Sequence, residues 1–341
     1  MTAGPPRLSI CIATYNRARF LGESLRSIVD QGIDGVEIVI VDGASPDDTA
    51  AVVAPFVDRF PDRIRYVREP IKGGVDVDFA KAVGYARGEY CWLMSDDDPL
   101  KPGAIATVLA AVSGGRFSLV VVNAEIRTAD LAARLEERRL RVHADQEIAD
   151  LAELFSLTVS YLTFIGGVVI ERTLWLARPH DAYLGSELIH LGVIFQAPLP
   201  KPSFILAEPL ITLRFGNAQW TGRSFEIWLF KMPRLIWSLS ALPEPVRARA
   251  CPRQPWRSLA LVFLYRAKGS YDRAVYRRLI MPERPALLKR WALLAIAWFP
   301  GRIANLIAYA GFIIKRPRCS PATLVELANS RYSVLAGRTR K

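Results

Sequence analysis

Short apolar runs alternate with amphipathic stretches over the first 125 residues of the chain. The apolar runs are rich in β-branched residues, as buried strands are. The stretches between them repeat their apolar residues with helical spacing. Strands are predicted at residues 8–13, 36–41, 64–68, 90–94 and 117–123. Helices are predicted at residues 17–31, 47–60, 75–87 and 103–112. This order predicts an α/β fold in which helices cover both faces of a mostly parallel sheet.

The regular alternation ends after about residue 125, and the later pattern is mixed. A helix is predicted at residues 151–160, and it passes into a strand at 161–170. A further helix is predicted at residues 183–195 and a further strand at 203–215. Beyond about residue 222 the pattern is helical, with basic faces. We therefore expect a helical region to follow the α/β part of the chain.

Polar, charged and glycine residues follow the predicted strands at their carboxyl ends. They occupy residues 14–17, 42–45, 69–74 and 95–98. The carboxyl ends of parallel strands meet at one edge of a sheet, and ligands of α/β folds bind beyond that edge. The sequence therefore predicts a ligand site at this edge.

The most informative of these segments is an acidic triplet, Asp96, Asp97 and Asp98, which directly follows the apolar run 90–94. Neighbouring carboxylates repel one another in a low dielectric, and a divalent cation is the usual compensation. Oxygen ligands of this kind suit Mg²⁺ or Mn²⁺, which keep positions open for substrate phosphates. The alternative is a solvated acidic turn in which Asp98 caps the segment that follows.

The net charge of +12 is distributed unevenly along the chain. Residues 1–222 hold 22 Lys and Arg against 28 Asp and Glu, whereas residues 223–341 hold 23 against 5. The second region is also rich in Trp, Leu, Ile and Phe. Basic and apolar residues together favour an anionic membrane surface over nucleic acid as the partner. The alternative is a basic face exposed to solvent.

One long apolar stretch, residues 291–314, has the composition of a membrane segment. The sequence Pro300-Gly301-Arg302 divides it into two pieces, each of which is shorter than the roughly 20 residues that a spanning helix needs. We prefer two interfacial helices, or a shallow hairpin, on the cytoplasmic leaflet. A kinked spanning helix and a soluble helical hairpin are the alternatives.

The four cysteines and the N-terminus indicate an intracellular location. The cysteines have no paired spacing, so we expect reduced thiols, without a disulfide framework or a zinc site. The N-terminal residues lack the layout of a secretory signal.

Several short motifs follow one another closely and carry a family resemblance. They are Ala-Thr-Tyr-Asn-Arg at 13–17, Val-Asp-Gly-Ala-Ser-Pro-Asp at 41–47, Gly-Gly-Val at 73–75, Ala-Arg-Gly-Glu-Tyr at 86–90 and Ser-Asp-Asp-Asp at 95–98. As a set they resemble the family 2 glycosyltransferases, which are inverting nucleotide-sugar enzymes of the GT-A fold. Residues 88–93, 214–221 and 225–228 further resemble the abequosyltransferase-like branch of O-antigen assembly.

The resemblance assigns the nucleotide-sugar site to the sheet edge. It implies that residues 14–17 line the nucleotide pocket, that Asp42 accepts a hydrogen bond from the base or ribose, and that residues 72–75 pass close to the nucleotide. Lys81 faces the diphosphate in this interpretation, with a surface lysine as the alternative. The implied substrate-binding residues are Thr14, Tyr15, Asn16, Arg17, Asp42, Lys72, Gly73, Gly74, Lys81, Asp96 and Asp97.

The acidic triplet corresponds to the family's DXD-type metal site, although Ser95 replaces the usual first aspartate. One register makes Asp97 and Asp98 the metal ligands, and the other makes them Asp96 and Asp98. Asp98 is common to both registers. The remaining aspartate would hold the ribose or a metal-bound water.

The acceptor side of the resemblance nominates a catalytic base. Glu187 is the best positional match for the carboxylate that deprotonates the acceptor hydroxyl. The usual Glu-Asp pair is absent, and Asp181 is the substitute candidate. His190 would touch the diphosphate or orient the base, with a place in the core as the alternative.

A loop near the end of this region supplies the last candidates. Arg214 and Arg223 would clamp the diphosphate, and Trp220 would pack on the sugar or anchor the loop.

Together these inferences predict a GT-A domain at residues 1–222 and a basic helical, membrane-associating region at residues 223–341. The domain divides into a nucleotide-sugar half at 1–125 and an acceptor half at 126–222. The expected function is metal-dependent transfer of a sugar from a nucleotide-sugar to a lipid-linked saccharide, with inversion, at the cytoplasmic face of the membrane. A polyprenyl-diphosphate-linked acceptor fits the basic, apolar tail. The alternatives are a sugar-nucleotide nucleotidyltransferase and a non-catalytic membrane or nucleic-acid binder.

Overall fold

The computed structural model of the protein describes residues 5–32, 34–314 and 321–333. Its residues group into two compact units. The first unit comprises the chain up to residue 127 together with residues 136–214 and 238–250. The second comprises residues 128–135, 215–237 and the chain from 251 onward. The predicted domain division at residue 222 does not coincide with these groups, and it stays a prediction.

The core of the first unit is a sheet in which eight strands hydrogen-bond in the order β3-β2-β1-β4-β8-β5-β9-β7. The first four strands of this order run parallel, and β8 is antiparallel to both β4 and β5. All the strands of the chain, as the structure describes it, are β1 (Leu8–Thr14), β2 (Val36–Asp42), β3 (Ile64–Arg68), β4 (Tyr90–Met94), β5 (Leu119–Thr128), β6 (Arg134–Glu136), β7 (Gln146–Ile148), β8 (Val168–Glu171) and β9 (Ser203–Phe215).

The helices begin and end close to the predicted positions in the first part of the chain. Helix α3 packs across β1 and β2, and α1 packs on α2. The described helices are α1 (Ala18–Val29), α2 (Thr49–Arg59), α3 (Val75–Tyr85), α4 (Ala104–Val112), α5 (Leu151–Thr158), α6 (Arg172–Ala177), α7 (Ile189–Phe195), α8 (Ser224–Glu226), α9 (Met232–Ser238), α10 (Glu244–Ala250), α11 (Leu259–Lys268), α12 (Arg273–Val275), α13 (Leu287–Trp298), α14 (Gly301–Ile314) and α15 (Pro321–Ala328).

One aspartate shows how the sequence fixes the ends of the first helices. The carboxylate of Asp47 accepts hydrogen bonds from the backbone N–H of Ala18 at 2.9 Å and from the backbone N–H of Thr49 at 3.2 Å. Since the first N–H groups of a helix lack partners within the helix, this one side chain satisfies donors at the starts of both α1 and α2. It thereby holds the two loops after β1 and β2 together.

The five strands predicted in the first 125 residues are all present, and the α/β fold class is confirmed. The predicted strand at 161–170 is shorter than expected, because Ile165–Gly167 form a 3-10 turn and only Val168–Glu171 pair with the sheet. The predicted helix at 183–195 is reduced to Ile189–Phe195. Strands β6 and β7 were not predicted, since three residues are too few to show a period.

The second unit has a helical core of its own, built around aromatic side chains. Phe225 is fully buried, and its ring centroid lies 4.6 Å from that of Tyr271 and 5.7 Å from that of Tyr265. Leu293 and Ala297 of α13 belong to the same cluster. No single helix of the described chain is long and apolar enough to cross a membrane. The pair α13 and α14 passes that test only when taken together, and the two helices meet at a bend of 98°.

Candidate active site

The acidic triplet lies directly after β4, as predicted, and an arginine binds it. Arg17, which follows β1, forms ion pairs with two of the aspartates: its Nε atom lies 3.2 Å from Asp96 Oδ1, and its Nη2 atom contacts Asp97 Oδ2. All three side chains are largely buried. The sequence motifs predict Arg17 in the nucleotide pocket but give no sign of its contact with these carboxylates. The contact follows from the parallel pairing of β1 with β4, which brings the two strand ends together.

A second arginine, Arg214 of β9, fixes the other half of the triplet. Its backbone N–H donates to Asp98 Oδ1 at 2.6 Å, and its Nε atom donates to the backbone carbonyl of Asp97 at 3.0 Å. Its Nη2 atom lies 2.6 Å from a carboxylate oxygen of Glu23. The Arg214 side chain is only 4% exposed. Arg214 thus lies beside the triplet, where its contacts are with protein atoms, and its predicted contact with the diphosphate stays a prediction.

These two arginines do not fully compensate the negative charge of the triplet. Burial, and then the neighbouring charge of Asp97, raise the pKa of Asp96 to about 7. The same two causes raise the pKa of Asp98 well above its ordinary value. A carboxyl group that holds its proton this strongly is one that an added cation would stabilise in the ionised form. The carboxylates of the triplet therefore suit a divalent cation.

The triplet alone does not enclose such an ion. Among the residues that the structure describes, no group of three or more His, Cys, Asp or Glu side chains is arranged to hold a metal. Mg²⁺ is commonly bound through one or two carboxylates and completed by substrate phosphates and water. Asp97 and Asp98 fit this incomplete type of site.

Asp42 ends β2 and is fully buried, with both carboxylate oxygens engaged. Oδ1 accepts from the backbone N–H of Ser45 at 2.8 Å, and Oδ2 accepts from the hydroxyl of Tyr66 on β3. Burial and this hydrogen bond raise the pKa of Tyr66. Asp42 therefore caps the turn after β2, and its predicted contact with the base or ribose stays a prediction. Tyr66 was missed, because a tyrosine in a short strand gives no functional signal.

The other predicted nucleotide residues surround the same turn. The backbone N–H of Asn16 donates to Ser45 Oγ at 2.8 Å, and Asn16 has a positive φ of 57°. The Lys72 ammonium lies 3.5 Å from the centroid of the Tyr15 ring, within cation–π distance. Gly74 has a φ of 96°, a conformation that glycine adopts without strain. The structure therefore brings the segments 14–17 and 72–74 to one edge, as predicted.

Asp78 of α3 is a buried acid that no sequence motif indicated. A Cβ atom added at Gly43 would lie 2.7 Å from its Oδ2 atom, and one at Gly73 would lie 3.0 Å from its Oδ1 atom, so both glycines make room for this carboxyl group. Oδ1 has no hydrogen-bond partner within the described chain. Burial raises the pKa of Asp78 to about 6. Lys81, predicted to face the diphosphate, forms an ion pair with Glu69.

The candidate base Glu187 lies in a loop that α3 holds in place. The Asp76 carboxylate accepts from the backbone N–H of Glu187 at 2.7 Å and from that of Ile189 at 3.1 Å. Asp76 is buried, and Glu187 has a strained positive φ of 67°. The structure thus connects the helix after the glycine segment to the loop that carries the candidate base. Sequence patterns missed Asp76, because its partners lie more than a hundred residues away.

The remaining acceptor-side candidates differ in exposure. Asp181 is exposed, at the start of the turn Asp181–Tyr183. His190 is buried, and its Nε2 atom donates to the carbonyl of Leu162 at 2.6 Å. Burial lowers the pKa of His190 to about 4, so the ring is neutral. The structure therefore gives His190 the core position that was its alternative, in place of the predicted contact with the diphosphate.

Trp220 and Arg223 belong to the second unit. The Trp220 ring packs edge-on against Trp228, with centroids 5.5 Å apart, and Arg223 ends the turn Thr221–Arg223. The predicted contacts of these two residues with the sugar and the diphosphate stay predictions.

The sequence matches known proteins along the same region. The sequence profile "Glycosyl transferase family 2" matches residues 9–158, which include β1 to β4 and the acidic triplet. The chain is 27% identical over 226 residues to abequosyltransferase RfbV of Salmonella typhimurium, which covers 62% of this chain and 67% of that protein. It is 32% identical over 111 residues to the GalNAc(5)-diNAcBac-PP-undecaprenol beta-1,3-glucosyltransferase of Campylobacter jejuni, which covers 32% of this chain and 36% of that protein.

Solved structures share the fold. Residues 1–349 of S. aureus TarS superpose with a TM-score of 0.55 at 14% identity, over 96% of this chain and 89% of that one. The same protein in complex with UDP-GlcNAc gives a TM-score of 0.54 at 12% identity, over 95% of this chain and 89% of that one. The expected GT-A fold is confirmed, and nothing in these matches favours the nucleotidyltransferase alternative. The resemblance to the family 2 glycosyltransferases that the sequence motifs indicate is confirmed over residues 9–158, the region that the family profile matches.

Proposed function

We propose that the protein transfers a hexose-type sugar, with inversion, from a nucleotide-sugar to a lipid-linked saccharide in surface polysaccharide synthesis. The observation that carries the proposal is the buried acidic triplet at the end of β4, beside the segments 14–17 and 42–45. The names of the two relatives support the substrate classes. One is an abequosyltransferase, and the other acts on a saccharide bound to undecaprenol through a diphosphate.

The donor would bind along the carboxyl ends of the parallel strands. The nucleoside would lie against the turn that Asp42 caps, close to Tyr15 and Lys72. The leaving diphosphate gains negative charge as the glycosidic bond breaks, and fixed cationic groups stabilise that charge. Arg17 is our candidate for such a cationic group on the first unit, since its guanidinium is already held beside Asp96 and Asp97.

We assign Mg²⁺ or Mn²⁺ to Asp98 and Asp97, with the remaining ligand positions left to phosphate and water. When bound, such an ion supplies Lewis-acid stabilisation of the leaving diphosphate. Asp97 now pairs with Arg17, so binding of the ion and this ion pair compete for the same carboxylate. The raised pKa values of Asp96 and Asp98 support this assignment.

Glu187 is the proposed general base, and Asp181 is the substitute. The acceptor hydroxyl attacks the anomeric carbon from the face opposite the leaving group and loses its proton to a carboxylate. The hydrogen bonds that the backbone N–H groups of the loop donate to Asp76 give Glu187 a defined position for this task.

The first test is turnover of a panel of nucleotide sugars, followed by released nucleoside diphosphate. We expect one donor to be hydrolysed slowly in the presence of Mn²⁺, and Asp98→Ala to lower that turnover roughly a hundredfold or more. Asp58→Ala, which removes an exposed aspartate of α2, is the matched control and should keep full activity. Folded wild-type protein that turns over no nucleotide-sugar, or an Asp98→Ala variant as active as the control, would contradict the proposal.

We also propose a peripheral location at the cytoplasmic face of the membrane, where a polyprenyl-linked acceptor is found. The excess of 23 basic over 5 acidic residues in residues 223–341 supports an anionic surface as partner. Fractionation of cells that express the full chain tests this location. Protein recovered only in the soluble fraction at low salt would contradict it.

A further inference from the structure

Helix α13 presents apolar side chains to solvent along one stripe. Leu288, Trp291, Ala295 and Trp298 follow one another at spacings of three, four and three residues, so they share one face. Leu288 is 87% exposed, Trp291 62% and Trp298 61%. Soluble proteins expose large apolar side chains singly, whereas a contiguous apolar face marks an interaction site.

Helix α14 shows the same inverted pattern. Its exposed side chains are large and aliphatic, and its buried side chains are small or polar. The exposed residues include Ile303, Leu306, Ile307, Ile313 and Ile314, and the buried residues are Gly301, Ala304, Asn305 and Ala308. A helix that faced only water would carry the opposite arrangement.

The buried faces are committed to packing within the second unit. The Asn305 side-chain amide donates to the carbonyl of Ala267 on α11 at 3.1 Å and to that of Leu327 on α15 at 2.9 Å. Ala304 and Ala308 pack in the same cluster as Ala267 and Leu327. The small side chains thus permit close helix contact, and large apolar side chains stay exposed among the described residues of α14.

We infer that the exposed faces of α13 and α14 form a docking surface that inserts shallowly into an anionic lipid bilayer. The helices have 12 and 14 residues, and each is too short to span the hydrocarbon core. The bend of 98° and the packing of Asn305 separate this pair from a continuous spanning helix. Helices with Trp and Leu on one face and basic residues nearby are typical of interfacial insertion.

Charge identifies lipid as the occupant. Arg290 and Arg302 are exposed on the same two helices, and the Arg273 guanidinium lies 4.2 Å from the ring centroid of Trp298. A second copy of this surface would bring like charges together, whereas anionic headgroups neutralise them. Tryptophan beside arginine is also the pairing that the headgroup region of a bilayer accommodates.

The inference rests on the proposed membrane location but not on the proposed glycosyl transfer. The test compares full-length Leu288→Glu, Trp291→Glu and Ile307→Glu variants with the wild type by co-sedimentation with vesicles. Vesicles of phosphatidylcholine alone and of phosphatidylcholine with phosphatidylglycerol are used. Leu176→Glu, which changes a side chain that is 47% exposed on α6, is the matched control. Far-UV circular dichroism reports whether each variant is folded, and nucleotide-sugar hydrolysis in solution is followed separately.

We expect the wild type to bind the anionic vesicles and to be released by alkaline carbonate, as an interfacial protein is. Each surface variant should lower the partition coefficient for the anionic vesicles roughly tenfold or more. The control variant should bind the vesicles like the wild type, and the rate of hydrolysis should not change in any variant. Three results would overturn the inference: surface variants that bind like the wild type, wild type that resists carbonate extraction, or variants that change only the oligomeric state. A wild type that binds the anionic vesicles but hydrolyses no nucleotide-sugar would contradict the proposed function and support the membrane inference.

Discussion

Two regions of the molecule place their residues in opposite ways. One is the sheet edge of the first unit that carries residues 96–98, called the donor edge, and the other is the bent helix pair α13 and α14 of the second unit. At the donor edge, Asp97, Asp98 and Arg214 are ionisable and buried. On the helix pair, Leu288 and Trp291 are apolar and exposed. Both arrangements oppose the hydrophobic effect, and such violations are expected at functional sites. The first region is suited to a charged ligand, and the second to an apolar one.

The largest effect is expected from removing a buried arginine of the donor edge, compared with removing an exposed arginine. Arg214→Leu removes the contacts of a buried guanidinium with Glu23 and with the carbonyl of Asp97. We expect the free energy of unfolding to fall by roughly 2–3 kcal/mol, because the buried carbonyl of Asp97 and the half-exposed carboxylate of Glu23 both lose a charged hydrogen-bond donor. Urea denaturation measures it.

The matched control for this variant is Arg234→Leu. The Arg234 side chain is 72% exposed and pairs with Glu283 at 3.6 Å. An exposed pair of this kind contributes about 0–1 kcal/mol. Equal losses in the two variants would remove the claim that the donor edge is a stabilised, buried cluster.

The pH dependence of the free energy of unfolding tests whether the pKa of Asp96 is raised. The pKa of Asp96 is raised to about 7, above the value of about 3.9 for a free aspartate, so the folded state binds its proton more tightly than the unfolded state does. The free energy of unfolding should therefore fall as the pH rises from about 4 to about 7. Asp96→Asn should remove the part of this slope that Asp96 contributes, whereas Asp78 and Asp98, whose pKa values are also raised, keep their parts. Added Mn²⁺ should reduce the slope of the wild type. A wild type with the same slope as the variant would contradict the raised pKa.

A smaller effect is expected at the link between α3 and the loop of the candidate base. Asp76→Ala frees the backbone N–H groups of Glu187 and Ile189, so the base loses its fixed position. We expect kcat for transfer to fall roughly tenfold to a hundredfold, with little change in KM for the donor. Asp76→Asn keeps one acceptor oxygen and should restore part of the rate. Equal loss in donor hydrolysis without acceptor would indicate a purely structural role.

The smallest effect concerns the turn after β2. Tyr66→Phe removes the hydroxyl that donates to Asp42 and should lower the free energy of unfolding by about 1 kcal/mol. Tyr85→Phe is the control, since the structure gives the Tyr85 hydroxyl no hydrogen bond among the described residues. A donor KM that rises only in Tyr66→Phe would sharpen the assignment of Asp42 to the nucleoside.

Local patterns were enough to predict the strands of the first 125 residues and the acidic triplet at the end of β4. They reached no further where a contact joins distant parts of the chain. Arg17 and Asp97 are 80 positions apart, and Arg214 and Asp98 are 116 apart. Spacing along a sequence does not report such pairs, so the position of the Arg17 guanidinium beside the triplet was not predicted.

Buried acids on helices were missed for a different reason. Asp76 and Asp78 have the composition of a solvated first turn, and only the packing of α3 on β1 and β2 buries them. For residues 291–314 the sequence left three arrangements open. A choice among them requires knowing which face of α14 packs on α11, a fact that hydropathy alone does not contain. The interfacial arrangement stays a prediction.

The pairing of Arg17 with Asp96 and Asp97 has a consequence for the sequence of substrate entry. The resting protein carries an internal counter-ion, so a free divalent ion at low concentration meets carboxylates that are already neutralised in part. A nucleotide-sugar offers Arg17 a diphosphate in exchange, and this exchange would release Asp97. We therefore expect metal affinity to be weak in the apoprotein and to rise when a donor is present, so that the ion and the nucleotide arrive together.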